Sequence, residues 1–276
     1  MKMLSAAKNI AGNIKMEIVI WLRFIYPTKI FNLNGVPVLF NASSRREMLR
    51  GWQYASPLKE PGTYEWLDSF VGNKDILYDI GCNTGGYAMY SAIKHKNINV
   101  FCIDPDVQNI GAVNKNIFLN KLVGRVLAFC VAVSNKNKLD QLNIFSEEAV
   151  LEPGYSGNSV ATGNRSGSHQ AIMKTGVISL TLDSMVYDYD FPCPNHIKID
   201  VDGHEDKILS GSERVLKNKT LKTVLIECEY SNSALIDKFI EHGFERYEDF
   251  KSPLYKEYLI NHNKDDMGNI VFIRKQ

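Results

Sequence analysis

From residue 76 the chain alternates between two hydrophobic periods. Short apolar runs bounded by turn residues fall near 76–80, 98–103, 126–133, 195–200 and 222–228, as buried strands do. Between them, apolar residues recur every three or four positions near 86–95, 107–119, 204–217 and 232–242, which predicts helices. A last pair of strands, near 244–248 and 268–274, has no helix between its members and so predicts an antiparallel hairpin. The sum is a seven-stranded, mostly parallel, doubly wound α/β sheet with a C-terminal antiparallel hairpin. Upstream, residues 30–40 read as a hairpin turning at Asn34-Gly35, and residues 44–70 as a helical cap. Leu4, Ala7, Ile10, Ala11, Ile14, Ile18, Leu22 and Ile25 form one stripe of a basic amphipathic helix that Pro27 ends. That places an extension over 1–60 and the main domain over 61–276. A tract rich in Gly, Ser and Asn, 154–168, separates the third and fourth strands and is either a solvated loop or a cover over a site.

Charge changes the picture at one end. The 276 residues carry a net charge of +1, which provides no field for nucleic acid, yet the first fifty have eight Lys or Arg against two acids. The amphipathic stripe therefore packs on its own domain or a twin subunit, or lies on an anionic membrane or a partner protein. Oligomeric state is left open. Five cysteines, with no Cys-x-x-Cys pair among them, fit a reducing cytoplasm better than a disulfide framework. The longest apolar stretch, Ile18 to Tyr26, is too short to span a bilayer and contains Arg23.

The candidate chemistry begins where the first strand breaks into glycines, Asp79-Ile80-Gly81-Cys82-Asn83-Thr84-Gly85-Gly86. Gly81, Gly85 and Gly86 let backbone approach a ligand closely, and Asp79 at the strand end is placed to accept from an ammonium. Asp104, followed by Pro105, ends the second strand, where a carboxylate can take both ribose hydroxyls. A dinucleotide fingerprint would carry glycine where this chain has Asn83, whose side chain crowds a pyrophosphate but can bond a smaller ligand. These residues point to S-adenosyl-L-methionine, with a nicotinamide-dependent oxidoreductase as the alternative.

A second cluster, His196-Ile197-Lys198-Ile199-Asp200-Val201-Asp202-Gly203-His204-Glu205, sets charges inside an apolar strand, at a cost unless they pair or act. Lys198 and Asp200 alternate with isoleucines and share one face. Asp200, Asp202, His204 and Glu205 also raise a divalent-metal reading, but neighbours along one turn seldom converge, so no metal is assigned.

Asp79-Ile80-Gly81-x-Asn83-x-Gly85, Asp104-Pro105 with Asn116 and Asn120, Thr181-Leu182-Asp183, and the segment from Lys198 to Glu205 occur in order. In this the chain resembles the FkbM family of S-adenosylmethionine-dependent methyltransferases over about 60–275. The resemblance implies a class I, Rossmann-like fold and methylation of a hydroxyl, on sugars of surface polysaccharides or glycolipids or on secondary metabolites. The family usually has Glu where this chain has Asp104 and Asp202, so the charge is kept and the reach shortened. On this reading Cys82 and Pro105 join Asp79, Gly81, Asn83, Gly85 and Asp104 around the cofactor. Asp200 is the base or orients the acceptor hydroxyl, Lys198 holds its charge, and His204 is the second candidate base. A non-catalytic binding protein on the same fold is the remaining alternative, against which the intact acids and glycine turn argue.

Overall fold

A computed structural model of the chain describes residues 28–56, 59–155, 158, 170–251 and 267–275. The amphipathic stripe of residues 4–26, with its membrane and partner readings, lies outside them, as does most of the 154–168 tract.

The chain opens with a hairpin, β1 (Thr28–Leu33) and β2 (Val36–Asn41), whose turn residues Asn34 and Gly35 both have positive φ, 44° and 86°. That backbone matches the strand twist and selects an Asn-Gly pair. The expected cap is two helices, α1 (Arg45–Ala55) and α2 (Pro61–Phe70). A Ser44/Glu47 capping box starts the first, and a proline at its first turn suits the second.

The main sheet is assembled from β3 (Ile76–Ile80), β4 (Asn99–Ile103), β5 (Val126–Phe129), β9 (His196–Ile199), β10 (Thr223–Glu229), β11 (Phe244–Arg246) and β12 (Met267–Arg274). Their order is β11-β12-β10-β9-β3-β4-β5, all parallel except β12, which runs antiparallel to both neighbours. The expected seven-stranded α/β sheet with its C-terminal antiparallel pair is what forms. The strand order reverses at β3, so a crevice opens beyond the carboxyl ends of β3, β4 and β9, where open α/β sheets bind ligands.

Helices cover both faces: α3 (Gly86–Lys94) and α4 (Val107–Leu119) on one, with α6 (Leu182–Tyr187), α7 (Glu205–Ser210), α8 (Glu213–Lys217) and α9 (Ser233–Glu241) on the other. The hairpin side chains Phe31, Leu33, Val38 and Phe40 are buried in the same core as Leu77, Val100, Leu225 and Val271 of the sheet. Asn116 and Asn120 hold that hairpin by its backbone. Asn116 Oδ1 accepts from the Asn41 N–H at 2.8 Å, while Asn120 accepts from the Leu39 N–H at 2.9 Å and donates to its carbonyl at 2.7 Å.

Two expected elements are broken. The run 126–133 divides into β5 and the two-residue β6 (Ala132–Val133), which joins β7 (Lys138–Ile144) and β8 (Met173–Leu180) in a separate three-stranded sheet. Between β7 and β8 lies the short α5 (Glu147–Leu151). The run 204–217 divides at Gly211, where a Cβ would sit 2.2 Å from the Ser134 carbonyl oxygen.

Candidate active site

A cavity of about 400 Å³ opens at the carboxyl edge of the sheet, within the range of small-molecule sites. Parallel pairing fixes its floor. Asp79 on β3 stands opposite Cys102 on β4 and Lys198 on β9, and Lys198 stands opposite Leu225 on β10. Two residues further along their chains, Asp200 and Glu227 therefore come side by side on the same face. Asn269 of β12 pairs with Glu227, so the row ends in an amide.

In the cofactor half, Asp79 is 2% exposed and lines the cavity, and neither carboxylate oxygen has a hydrogen-bond partner among the described residues. Burial pushes its carboxyl up to about 6 against the pull of the Lys198 ammonium. A buried, unsatisfied carboxylate at a cavity wall is a costly arrangement unless a donor arrives with the ligand. The ammonium of an amino-acid cofactor is such a donor, and the site fits it.

Asp104 is differently placed. Oδ2 accepts from the Asn83 N–H at 2.9 Å, Oδ1 from the Asp106 N–H at 2.9 Å, and the Asn109 amide lies 3.2 Å from both. Of the roughly four acceptor positions on a carboxylate, these donors leave about one, fewer than two ribose hydroxyls would occupy. A glutamate would carry its oxygens a methylene further from these donors. Burial pushes the Asp104 carboxyl up to about 7, with the Asp106 carboxylate adding to it and the three donors opposing.

The glycine turn also differs from its expected role. Gly81 lines the cavity, but its Cβ would lie 1.7 Å from the Asp200 carbonyl oxygen, so glycine here lets β3 and β9 close on each other. Gly86 makes room for the Tyr54 ring, 2.4 Å from a built Cβ. Gly85, with φ of 79°, starts α3 and does not line the cavity. Asn83 sits in the left-handed region at φ 52°, with its side chain turned to protein. It lines the cavity, accepts from the Thr84 N–H at 2.9 Å and donates to the Tyr155 carbonyl at 3.1 Å. Cys82 and Pro105 are on the cavity wall as expected.

The acceptor half gathers Lys198, Asp200 and His204, all on the wall. Lys198 Nζ donates to Asp200 Oδ2 at 2.6 Å and lies 5.2 Å from the Tyr87 ring centroid. Burial works against both charges. The Lys198 ammonium nonetheless holds Asp200 below the usual carboxylate range, and the carboxylates of Asp200, Glu60 and Asp79 hold Lys198 above the usual lysine range. His204 Nε2 is 2.9 Å from Ser134 Oγ, and its Nδ1 is buried without a partner among the described residues. Burial, with Lys207 nearby, pushes it down to about 4, so the imidazole is neutral at pH 7. Asp200, Asp202, His204 and Glu205 do not converge. Glu205 turns back to the Gly203 N–H at 3.0 Å, and among the described residues no group of three or more His, Cys, Asp or Glu side chains gathers as a metal site.

Sequence reasoning missed Glu227, Glu60, Tyr54 and Asn158, all of which line the cavity. Glu227 carries the signal that picked out Lys198: an acid inside an apolar strand, Val224-Leu225-Ile226-Glu227-Cys228. The 154–158 stretch reaches the wall through Tyr155 and Asn158, and Asn158 Nδ2 donates to Asp106 Oδ2 at 3.0 Å.

The sheet order, the switch-point crevice and an acid at the tip of each of the first two core strands define a class I methyltransferase that takes its methyl group from S-adenosylmethionine. Residues 79–247 match the Methyltransferase FkbM domain, and the chain belongs to that family. It is 25% identical over 189 residues to the hexuronic acid methyltransferase AglP of Haloferax volcanii, covering 68% of this chain and 70% of that protein. To the 2-O-methyltransferase NoeI of Sinorhizobium fredii it is 26% identical over 166 residues, covering 59% of this chain and 65% of that one. A solved methyltransferase FkbM from Methylobacillus flagellatus aligns with 83% of this chain and 55% of its own at 12% identity and a TM-score of 0.47. Family membership sets aside the oxidoreductase and non-catalytic readings. Among the described residues no helix is long and apolar enough to cross a membrane.

Proposed function

We propose that the protein is an O-methyltransferase acting on a sugar hydroxyl, in a surface polysaccharide, a glycolipid or a small glycoside, with a hydroxylated secondary metabolite as the other acceptor class. The observation that carries this is the wall beside Asp79. Lys198, Asp200, Glu227, Asn269, Glu60 and Lys59 crowd hydrogen-bonding groups where an acceptor must lie, as suits a polyhydroxylated ligand. The activities of the two relatives, a hexuronic acid methyltransferase and a 2-O-methyltransferase, agree with it.

When bound, the cofactor supplies a methyl group activated by a sulfonium leaving group. The chain's own work is alignment, exclusion of water and handling of one proton. Asp79 anchors the ammonium, and Asp104 takes one ribose hydroxyl. The Asp200 carboxylate, held by Lys198, accepts the hydrogen bond of the attacking hydroxyl and orients its lone pair. As the new bond forms, the hydroxyl proton passes to Asp200 or to neutral His204, whose buried Nδ1 has no partner among the described residues. Positioning of this kind is worth ~7–11 kcal/mol, and a general base adds on the order of 10²–10⁴-fold.

The test is incubation of Asp200→Asn and wild-type protein with the methyl donor and a panel of uronic acids, neutral glycosides and hydroxylated metabolites, read as a one-methyl mass gain. Methylation of a glycoside by wild type, with turnover lowered by on the order of 10²-fold or more in Asp200→Asn and adenosylhomocysteine binding retained, is the expected result. Methylation of amines alone, or wild-type turnover in the variant, would refute it.

A further inference from the structure

The wall holds a second carboxyl group that the reaction above leaves unused. Glu227 stands on β10 beside Asp200, because Lys198 and Leu225 are register partners and each acid follows two residues later. Both line the cavity, and the register sets their carboxyl groups within reach of each other. Two carboxylates have no proton to share, so a carboxyl–carboxyl hydrogen bond requires that one be the neutral acid. With that one proton the pair carries a single negative charge, which the Lys198 ammonium at 2.6 Å from Asp200 balances.

We propose that Asp200 and Glu227 form a one-proton dyad, in which Glu227 is a positioning residue that donates to Asp200 and aims its carboxylate at the acceptor hydroxyl. The proposal rests on the O-methyl transfer reading for its kinetic consequence, not for the dyad itself. Lys198 holds Asp200 Oδ2 and Glu227 stands on the side toward β12, while Asp200 itself lines the cavity. Loss of the Glu227 proton would set two negative charges side by side and swing Asp200 away.

The surroundings assign the proton to Glu227. Asp79 on β3 and Glu60 ahead of α2 add negative charge to the neighbourhood, while Lys198 and Lys59 favour the ionised form of Asp200. From β12, the facing residue is the uncharged Asn269. Burial and the Asp200 carboxylate together hold Glu227 well above the usual range of a glutamate.

Glu227→Gln keeps a donor to Asp200 but has no proton to lose, and Glu227→Ala removes the donor. With whichever acceptor is turned over, wild-type kcat should fall on an alkaline limb. In Glu227→Gln that limb should vanish, and Glu227→Ala should lose tenfold or more in kcat relative to Glu227→Gln with the donor's KM unchanged. A purely structural role would leave the limb in place. The second measurement is infrared difference spectroscopy of wild type against Glu227→Gln at pH 7, which should show the carbonyl band of one neutral carboxylic acid lost in the variant. Absence of that band, or an alkaline limb that persists in Glu227→Gln, overturns the dyad. Failure of every glycoside as acceptor would sink the sugar reading and leave the infrared result to decide the dyad alone.

Discussion

Asp79 is a carboxylate built into a wall with no hydrogen-bond partner for either oxygen among the described residues, so a donor entering the cavity would satisfy it. Its carboxyl is pushed up to about 6 by burial, while the ammonium it would hold stays charged throughout the acid range. Affinity for adenosylhomocysteine should then be about tenfold weaker at pH 5 than at pH 7, since roughly one in ten copies of a group with that midpoint is ionised at pH 5. Titration calorimetry at the two pH values measures the ratio. Asp79→Asn should bind weakly and equally at both, and a pH-independent wild-type affinity would contradict the assignment. The sequence carries Asp79 openly, because an acid ending an apolar strand before glycines has few other uses. It hides the state of Asp104 and the turn of Asn83, since both depend on donors and acceptors from loops that only the fold brings near: Asp106, Asn109 and Tyr155. Glu227 was legible by the same rule as Lys198, an ionisable side chain in a buried strand, but its partner across the sheet was not, because register is not written in either strand alone.

Among the elements, the hairpin β1–β2 is held to the cofactor turn through Asn116. The buried amide of this residue accepts from the Asn41 N–H at 2.8 Å and donates to the Thr84 carbonyl at 2.9 Å, bridging the hairpin to the loop ahead of α3. Asn116→Ala strands both backbone groups and should cost about 1–3 kcal/mol in chemical denaturation. At the crossing of β3 and β9, Gly81→Ala would drive a methyl group against the Asp200 carbonyl, so the end of β9 must move and carry Asp200 with it. We expect Gly81→Ala to lose turnover more than donor binding, measured as kcat against the adenosylhomocysteine Kd. The alternation of strands and helices in the main sheet was legible because its central strands β3, β4, β9 and β10 are buried on both faces. The small β6-β8-β7 sheet was not. Its cross-strand pair Leu139 and Ile178 is 85% and 52% exposed, so apolar residues there do not mark a buried face. Gly211 breaks the long helix for a reason equally invisible along the chain, the approach of the Ser134 carbonyl.

For the whole molecule, the buried titrating groups pull stability in opposite directions with pH. Asp79 and Asp104 are raised to about 6 and about 7, so the fold holds protons that the unfolded chain releases above its ordinary aspartate range, and stability falls as pH rises through that interval. His196 and His204 are lowered to about 4 by burial, so the unfolded chain binds protons that the fold refuses, and stability rises over nearly the same interval. The two effects offset below neutrality, and between pH 7 and 8 their remnants, from Asp104 and the unfolded-state histidines, still oppose each other. Glu227 is left with a full proton in the fold and none in the unfolded chain, its carboxyl being raised to about 9 by burial and by Asp200. One excess proton in the native state makes stability fall with pH by roughly 1.4 kcal/mol per unit. Urea unfolding of wild type at pH 7.0, 7.5 and 8.0 should trace that fall, and Glu227→Gln should flatten it, because an amide releases nothing in either state. A flat wild-type curve would place the shared proton elsewhere. The measurement needs neither acceptor nor methyl donor, so it tests the charge state of the acceptor wall in the protein alone.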